Sequence, residues 1–120
     1  MIAPVATDAD GGSWNVNADT AAGEVAAALR AEKLVFLTDS PGILEDESDP
    51  SSLLHSVSLD EIDKLVERGA ITSGMLPKVG ACATALRAGV RRTHIIDGRV
   101  THALLLEIFT DKGIGTAVSS

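Results

Sequence analysis

Leu34-Val35-Phe36-Leu37 is a run of four apolar residues with no polar alternation. A strand wet on one face alternates. A strand covered on both faces reads as a continuous run, and such strands lie at the centre of parallel sheets between helices. The run ends at Thr38-Asp39, and Ser40-Pro41-Gly42 breaks regular structure. Polar residues at the carboxyl end of a buried parallel strand are where open α/β sheets bind ligands.

The rest of the chain supplies helices to cover such a strand. Ala21, Val25, Ala28 and Leu29 share one face of a helix that starts near Asn17 and runs to about Arg30. Its many alanines let it lie close to a sheet. At Val57 to Ile62 a second helix begins, with Ser58 and Glu61 as a capping box and Val57 able to staple onto Ile62. It runs to about Arg68, and Gly69 ends it. A third starts near Pro77, buries Val79, Cys82, Ala83 and Leu86, and closes at Gly89. Thr93 to Asp97 reads as a second buried strand, Ala103 to Phe109 as a short helix, and Gly113 to Val118 as a turn into a final strand. At the start, Ile2 to Ala6 and Ser13 to Val16 flank the turn signal Asp8-Ala9-Asp10-Gly11-Gly12, which predicts a small hairpin. Glu45 to Ser52, acidic and holding Pro50, reads as a solvated loop. The order strand, helix, strand, helix, helix, strand, helix, strand predicts an α/β fold, a three-layer αβα sandwich with a mostly parallel sheet. A length of 120 residues makes it one domain.

A net charge of −7 without any Lys/Arg run disfavours nucleic acid and anionic membranes as partners. With one Trp, two Phe and no Tyr, the chain lacks a stacking platform for bases. No apolar run approaches a membrane span. The lone Cys82 sits in a helical apolar pattern and reads as a buried, inert thiol. The N-terminus has neither a basic signal region nor an Arg-rich leader, so a cytoplasmic chain is expected, with the plastid stroma as the alternative.

Two short segments carry chemistry. Asn15-Val16-Asn17-Ala18-Asp19 places two amides and a carboxylate at a helix N-terminus, where free N–H groups and the helix dipole favour an anion. Asn17 can cap that helix and Asp19 falls in its first turn; helix capping alone would also account for both. Thr72-Ser73-Gly74-Met75-Leu76-Pro77-Lys78 is also a helix start. A lysine in a first helical turn is disfavoured by the dipole, so Lys78 calls for an anion, either Asp19 or a nucleotide phosphate, unless it is simply solvated. Gly74 leaves the backbone open to a ligand. The motifs G-x-x-x-x-G-K-[S/T] and G-x-G-x-x-G are absent, as are metal-spaced Cys/His clusters and a Ser/His/Asp arrangement. His55, His94 and His102 are far apart in sequence, and each reads as surface or satisfied core.

Five segments occur in a telling order: Asn15 to Asp19, Leu37-Thr38-Asp39-Ser40-Pro41-Gly42-Ile43-Leu44, Gly74 to Lys78, His94-Ile95-Ile96-Asp97-Gly98-Arg99, and His102 to Asp111. Together they resemble the C-terminal, ATP-binding half of the acetylglutamate kinases, in the amino acid kinase superfamily. The resemblance covers nearly the whole chain and implies a single nucleotide-binding domain over 1–120 whose N-terminal substrate lobe is absent. It implies transfer of the ATP γ-phosphoryl group to the side-chain carboxylate of N-acetyl-L-glutamate, on the route to arginine, with Mg2+ held mainly by the phosphates. Lys78 would stabilise charge toward ADP, Asp19 would orient it, and Asn15 and Asn17 would lie on the substrate side, with Asn15 on the α-carboxylate. The nucleotide would take Asp39, Gly42, Ile43, Leu44, Ala70, Ile71, Thr72, Gly74 and Met75. The last third resembles the arginine-inhibited branch, which implies L-arginine at His94, Glu107 and Gly113, a homo-oligomer, and the PII signalling protein as a regulator. Ser73, Ser40, Trp14 and Thr101 depart from the family pattern, and none removes a catalytic group. Without the other lobe the chain is expected to be inactive. The alternatives are another amino acid kinase (aspartokinase, glutamate 5-kinase or uridylate kinase) and a non-catalytic module binding arginine or PII.

Overall fold

The computed structural model describes residues 1–120. The elements are β1 (Val5–Thr7), β2 (Ser13–Asn15), α1 (Ala18–Ala28), β3 (Lys33–Thr38), β4 (Ser56–Ser58), α2 (Leu59–Glu67), α3 (Leu76–Arg87), β5 (Arg92–Asp97), α4 (Ala103–Phe109) and β6 (Thr116–Ser119). A 3-10 turn at Pro50–Ser52 interrupts the acidic loop. β1 and β2 form an antiparallel hairpin of their own. Its turn closes on Asp8, whose carboxylate accepts the N–H of Gly12 at 2.7 Å and the indole N–H of Trp14 at 2.7 Å.

The main sheet has the order β3-β5-β6-β4. β3 and β5 pair in parallel, as do β4 and β6, while β5 and β6 are antiparallel. The sheet is thus mixed but mostly parallel. After α4, the turn at Gly113–Gly115 delivers the chain to the Ile95 level of β5, and β6 runs back from there toward Thr93.

Paired residues share a face of a sheet. Phe36, Ile95, Val118 and Val57 therefore line one face, and they pack against Ile62 and Leu65 of α2 and Val79, Cys82 and Leu86 of α3 in a single core. His94 and Ile96 lie on the other face, under α4. Three layers result.

Four sequence expectations need correction. β3 is not central: β5 is its only neighbour, and Leu37 is 61% exposed. The run Leu34–Leu37 is as apolar as a doubly covered strand, but within these 120 residues one edge and part of one face stay open. The buried side of α1 is also rotated. Gly23 and Ala26 face inward, with Ala22 against the core, whereas Ala28 and Leu29 are exposed. The cause is α3, which crosses so closely that a Cβ on Gly23 would lie 2.9 Å from the Ala81 carbonyl oxygen. α3 buries Ala81 and Ala85 with Val79, Cys82 and Leu86, leaving Ala83 half-buried. Finally, Ser56–Ser58 is a strand as well as a helix start, paired to β6. The capping box stands: Glu61 donates its N–H to Ser58 Oγ, and Ser58 N–H donates to Glu61 Oε2 at 2.7 Å.

Candidate functional site

Two helix N-termini converge on one pair of charges. Asn17 caps α1, its side-chain oxygen accepting the N–H of Thr20 at 3.0 Å, which places Asp19 in the first turn. α3 begins at Leu76 with Pro77 in its first turn and no side-chain cap, and Lys78 follows. Close packing of α1 on α3 brings these turns together, and Lys78 Nζ donates to Asp19 Oδ2 at 3.1 Å. Both side chains are about one-fifth exposed, at 23% and 22%. The carboxylate offsets the unfavourable dipole at Lys78 and itself sits at the favourable end of α1. The cation remains reachable from outside. Asn15 is exposed at the end of β2, two residues before the cap.

A cleft of about 60 Å3 opens where β3 ends. Gly42, Ile43, Leu44, Ala70, Ile71, Thr72 and Met75 line it, together with Ser40 and Glu47. Of the other residues expected at a nucleotide, Asp39 is exposed just after β3 and Gly74 is exposed beside Met75. Met75 occupies the position just before α3 without capping it through its side chain, so the cleft leads within one turn to Lys78. The loop is braced at both ends. Ser40 donates its N–H to Thr38 Oγ1 at 2.7 Å and its hydroxyl to the Gly42 carbonyl at 3.0 Å. Ile43 donates its N–H to Thr116 Oγ1 at 2.8 Å. Gly42 has φ +147, in the region that favours glycine, and any Cβ there would meet Thr116 Oγ1 at 2.6 Å.

A second constellation lies on the opposite face, between β5 and α4. His94 Nδ1 donates to Glu107 Oε1 at 2.7 Å, and both side chains are buried. Glu107 Oε2 accepts the N–H groups of Ile114 at 2.8 Å and Gly115 at 3.0 Å. Burial pushes the Glu107 carboxyl up, but the His94 hydrogen bond and the two backbone donors outweigh it and hold the group below its ordinary value. Gly113, with φ +66, turns so tightly that a Cβ would lie 2.6 Å from Glu107 Oε2. His94, Glu107 and Gly113 therefore meet, at the rim of an open cleft of about 500 Å3 that also takes in Lys33, His55 and Arg92. The Nε2 of His94 and the Nδ1 of His55 are buried and have no partner. Cys82 is fully buried, and burial pushes its thiol up to about 11, which leaves it unreactive at neutral pH.

Three residues of these sites escaped the sequence reading. Glu47 looked like part of a solvated acidic loop, but the bridge between Leu44 and Leu53 folds that loop back over the cleft. Ser40 was read as part of the break after the apolar run and as a departure from the family pattern, but not as a residue of the cleft. Thr116 gave no signal, because its partner lies 73 residues away.

Comparison with known proteins places this geometry. The chain is 60% identical over 118 residues to an acetylglutamate kinase of Heliobacterium modesticaldum, covering 98% of this chain and 40% of that protein. An acetylglutamate kinase of Methanothermobacter thermautotrophicus is 56% identical over 119 residues, with 99% and 41% covered. The chain thus spans about 40% of the length of the curated relatives it matches. Among solved structures, N-acetylglutamate synthase from Neisseria gonorrhoeae, complexed with coenzyme A and L-arginine, superposes with a TM-score of 0.87 at 34% identity, over 97% of this chain and 26% of that one. No helix is long and apolar enough to cross a membrane. The model of the amino acid kinase family matches residues 1–97, and the chain belongs to that family.

Proposed function

We propose that the chain is the nucleotide-binding part of an acetylglutamate kinase, which transfers the γ-phosphoryl group of ATP to the side-chain carboxylate of N-acetyl-L-glutamate. One observation carries this reading. Seven residues expected at a nucleotide line a single cleft, and that cleft leads within one helical turn to a lysine held at 3.1 Å by an aspartate. Phosphoryl transfer needs little covalent help from protein; it needs in-line placement and positive charge around the moving group. In this reading the purine enters between the Gly42–Leu44 loop and the Ala70–Thr72 segment. The phosphates run toward the uncapped start of α3, where N–H groups favour anions. Lys78 meets the phosphates and stabilises charge developing toward ADP, while Asp19 keeps its ammonium aimed. Magnesium travels on the phosphates. Asn15 and Asn17 lie on the substrate side, Asn15 at the α-carboxylate, and the rest of the longer protein completes that pocket.

A second role rests on the cleft beside His94, Glu107 and Gly113. The synthase with the similar fold holds L-arginine, and a buried carboxylate suits a guanidinium. We propose this cleft as an arginine effector site, and the outer surfaces of the chain as the place where further copies or a PII protein bind. The cytoplasm, or a plastid stroma, is the proposed compartment.

The test is direct. Titration calorimetry should detect ATP–magnesium binding by this chain, abolished in Lys78→Glu. A coupled ADP-release assay should show turnover of N-acetyl-L-glutamate only when the remainder of the kinase is supplied. Absence of nucleotide binding, with arginine bound and lost in Glu107→Ala, would leave a regulatory module instead. Turnover of aspartate, glutamate or uridylate in the completed protein would leave a different amino acid kinase.

A further inference from the structure

The turn at residues 113–116 lines the cleft under α4 at Gly113 and, through Thr116, braces Ile43 in the wall of the other cleft. On the α4 face, Glu107 holds it through the N–H groups of Ile114 and Gly115, and His94 anchors Glu107 in turn. One residue later the chain enters β6, and Thr116 is paired opposite Ile95, on the face that carries the main core. Thr116 is fully buried. Its Oγ1 accepts the Ile43 N–H at 2.8 Å. The two backbones press together here: a Cβ on Gly42 would lie 3.1 Å from the Thr116 nitrogen. The wall of the nucleotide cleft therefore leans on a side chain whose own position is set from the other side of the sheet.

We infer that Thr116 is a positioning residue for the nucleotide cleft, and that Glu107 acts on the cleft through it. The carboxylate fixes the turn, the turn fixes the hydroxyl, and the hydroxyl fixes the Gly42–Ile43 peptide. This rests on the reading of residues 42–44 as the nucleotide's loop. The acceptor is what matters. Valine has nearly the shape of threonine but cannot accept, so the Ile43 N–H would be buried without a partner, which is costly. Serine retains the oxygen. A cation drawn to Glu107 would compete for the oxygen that holds Ile114 and Gly115, and so would loosen the nucleotide loop without touching it.

The test compares Thr116→Val, Thr116→Ser and Glu107→Gln in this chain. Amide hydrogen exchange at Ile43 reports the contact, and titration with a fluorescent ATP analogue reports the cleft. Thr116→Val should speed Ile43 exchange and weaken the analogue, each by about tenfold, the scale of one lost buried hydrogen bond. Thr116→Ser should stay close to wild type in both. Glu107→Gln should speed Ile43 exchange, and the double variant Glu107→Gln/Thr116→Val should be no worse than Thr116→Val alone, because both changes break one chain of contacts. Unchanged Ile43 exchange in Thr116→Val overturns the inference. Equal damage from Thr116→Ser overturns the role of the acceptor, and additive effects in the double variant overturn the link to Glu107. A wild-type chain that binds no analogue overturns the nucleotide reading instead, and the exchange measurements then decide the relay by themselves.

Discussion

Lys78 stands where a helix least tolerates a cation, and Asp19 stands where another helix welcomes an anion. Their contact at 3.1 Å satisfies both, yet the pair is partly open to water. Partly exposed ion pairs add about 1 kcal/mol or less to stability. A role in charge stabilisation would be far larger, about a hundredfold or more in rate for one well-placed group. Asp19→Asn should therefore leave the melting curve of the chain almost unmoved while lowering kcat about a hundredfold in the completed kinase. A large loss of stability with little loss of rate would make the pair a structural strut. Glu107 makes the converse case, because its contacts are buried. Its carboxyl sits below its ordinary 4.5 in the folded chain, so folding favours the ionised form. A group lowered in this way stabilises the fold above its unfolded value, and that contribution is lost as pH falls through the folded value. The stability difference between wild type and Glu107→Gln, read from urea unfolding, should hold steady above the ordinary carboxyl value of 4.5 and shrink as pH falls below it. A difference that widens on acidification would mean that Glu107 is not the ionised anchor of the turn.

At the scale of elements, local chemistry was legible and long-range pairing was not. The start of α2 could be read from Ser58, Glu61 and Val57 because a capping box is written within four residues. Both of its reciprocal bonds are present. Ser58→Ala should cost about 1 kcal/mol, lowering Tm by about 4 °C. Glu61→Ala should cost a similar amount, and the double variant less than the sum, since the two changes dismantle one motif. The bounds of α4, Ala103–Phe109, were equally readable from composition. β4 was not, because three residues show no periodicity and its partner β6 arrives about sixty positions later. The stripe on α1 failed for a related reason. Ala21, Val25 and Leu29 do form an apolar face, but the inward side was chosen by Gly23 meeting Ala81, a contact that α1 alone cannot announce. The loop that walls the cleft, proposed to take the nucleotide, was legible as a break after an apolar run at Pro41-Gly42. The residue that braces it from behind, Thr116, was not.

The whole molecule carries the consequence of that mismatch between apolar pattern and burial. β3 offers an unpaired edge. Beside it, Met1 to Pro4 and the Ala21, Val25 and Leu29 face of α1 border an apolar groove of about 500 Å3. On the opposite layer, α4 exposes Leu104, Leu105 and Phe109. Monomeric proteins seldom leave such patches open, and free strand edges invite pairing with another chain. The chain spans about 40% of the length of the curated relatives it matches, and on the function proposed above the rest of the kinase would cover β3 and α1. Alone, the chain should associate with itself through the same surfaces. Sedimentation velocity at micromolar concentrations should show dimers or larger species. Val25→Lys with Leu29→Glu should return the chain to a monomer without loss of helicity, because Leu29 is exposed and Val25 is only half-buried, at the groove and outside the main core. A second prediction separates the surfaces: charges at Leu105 and Phe109 should leave association through β3 and α1 unchanged. If instead only the α4 variant dissolves the assembly, the apolar run at Leu34–Leu37 is not the surface that drives association, and its composition would need another cause.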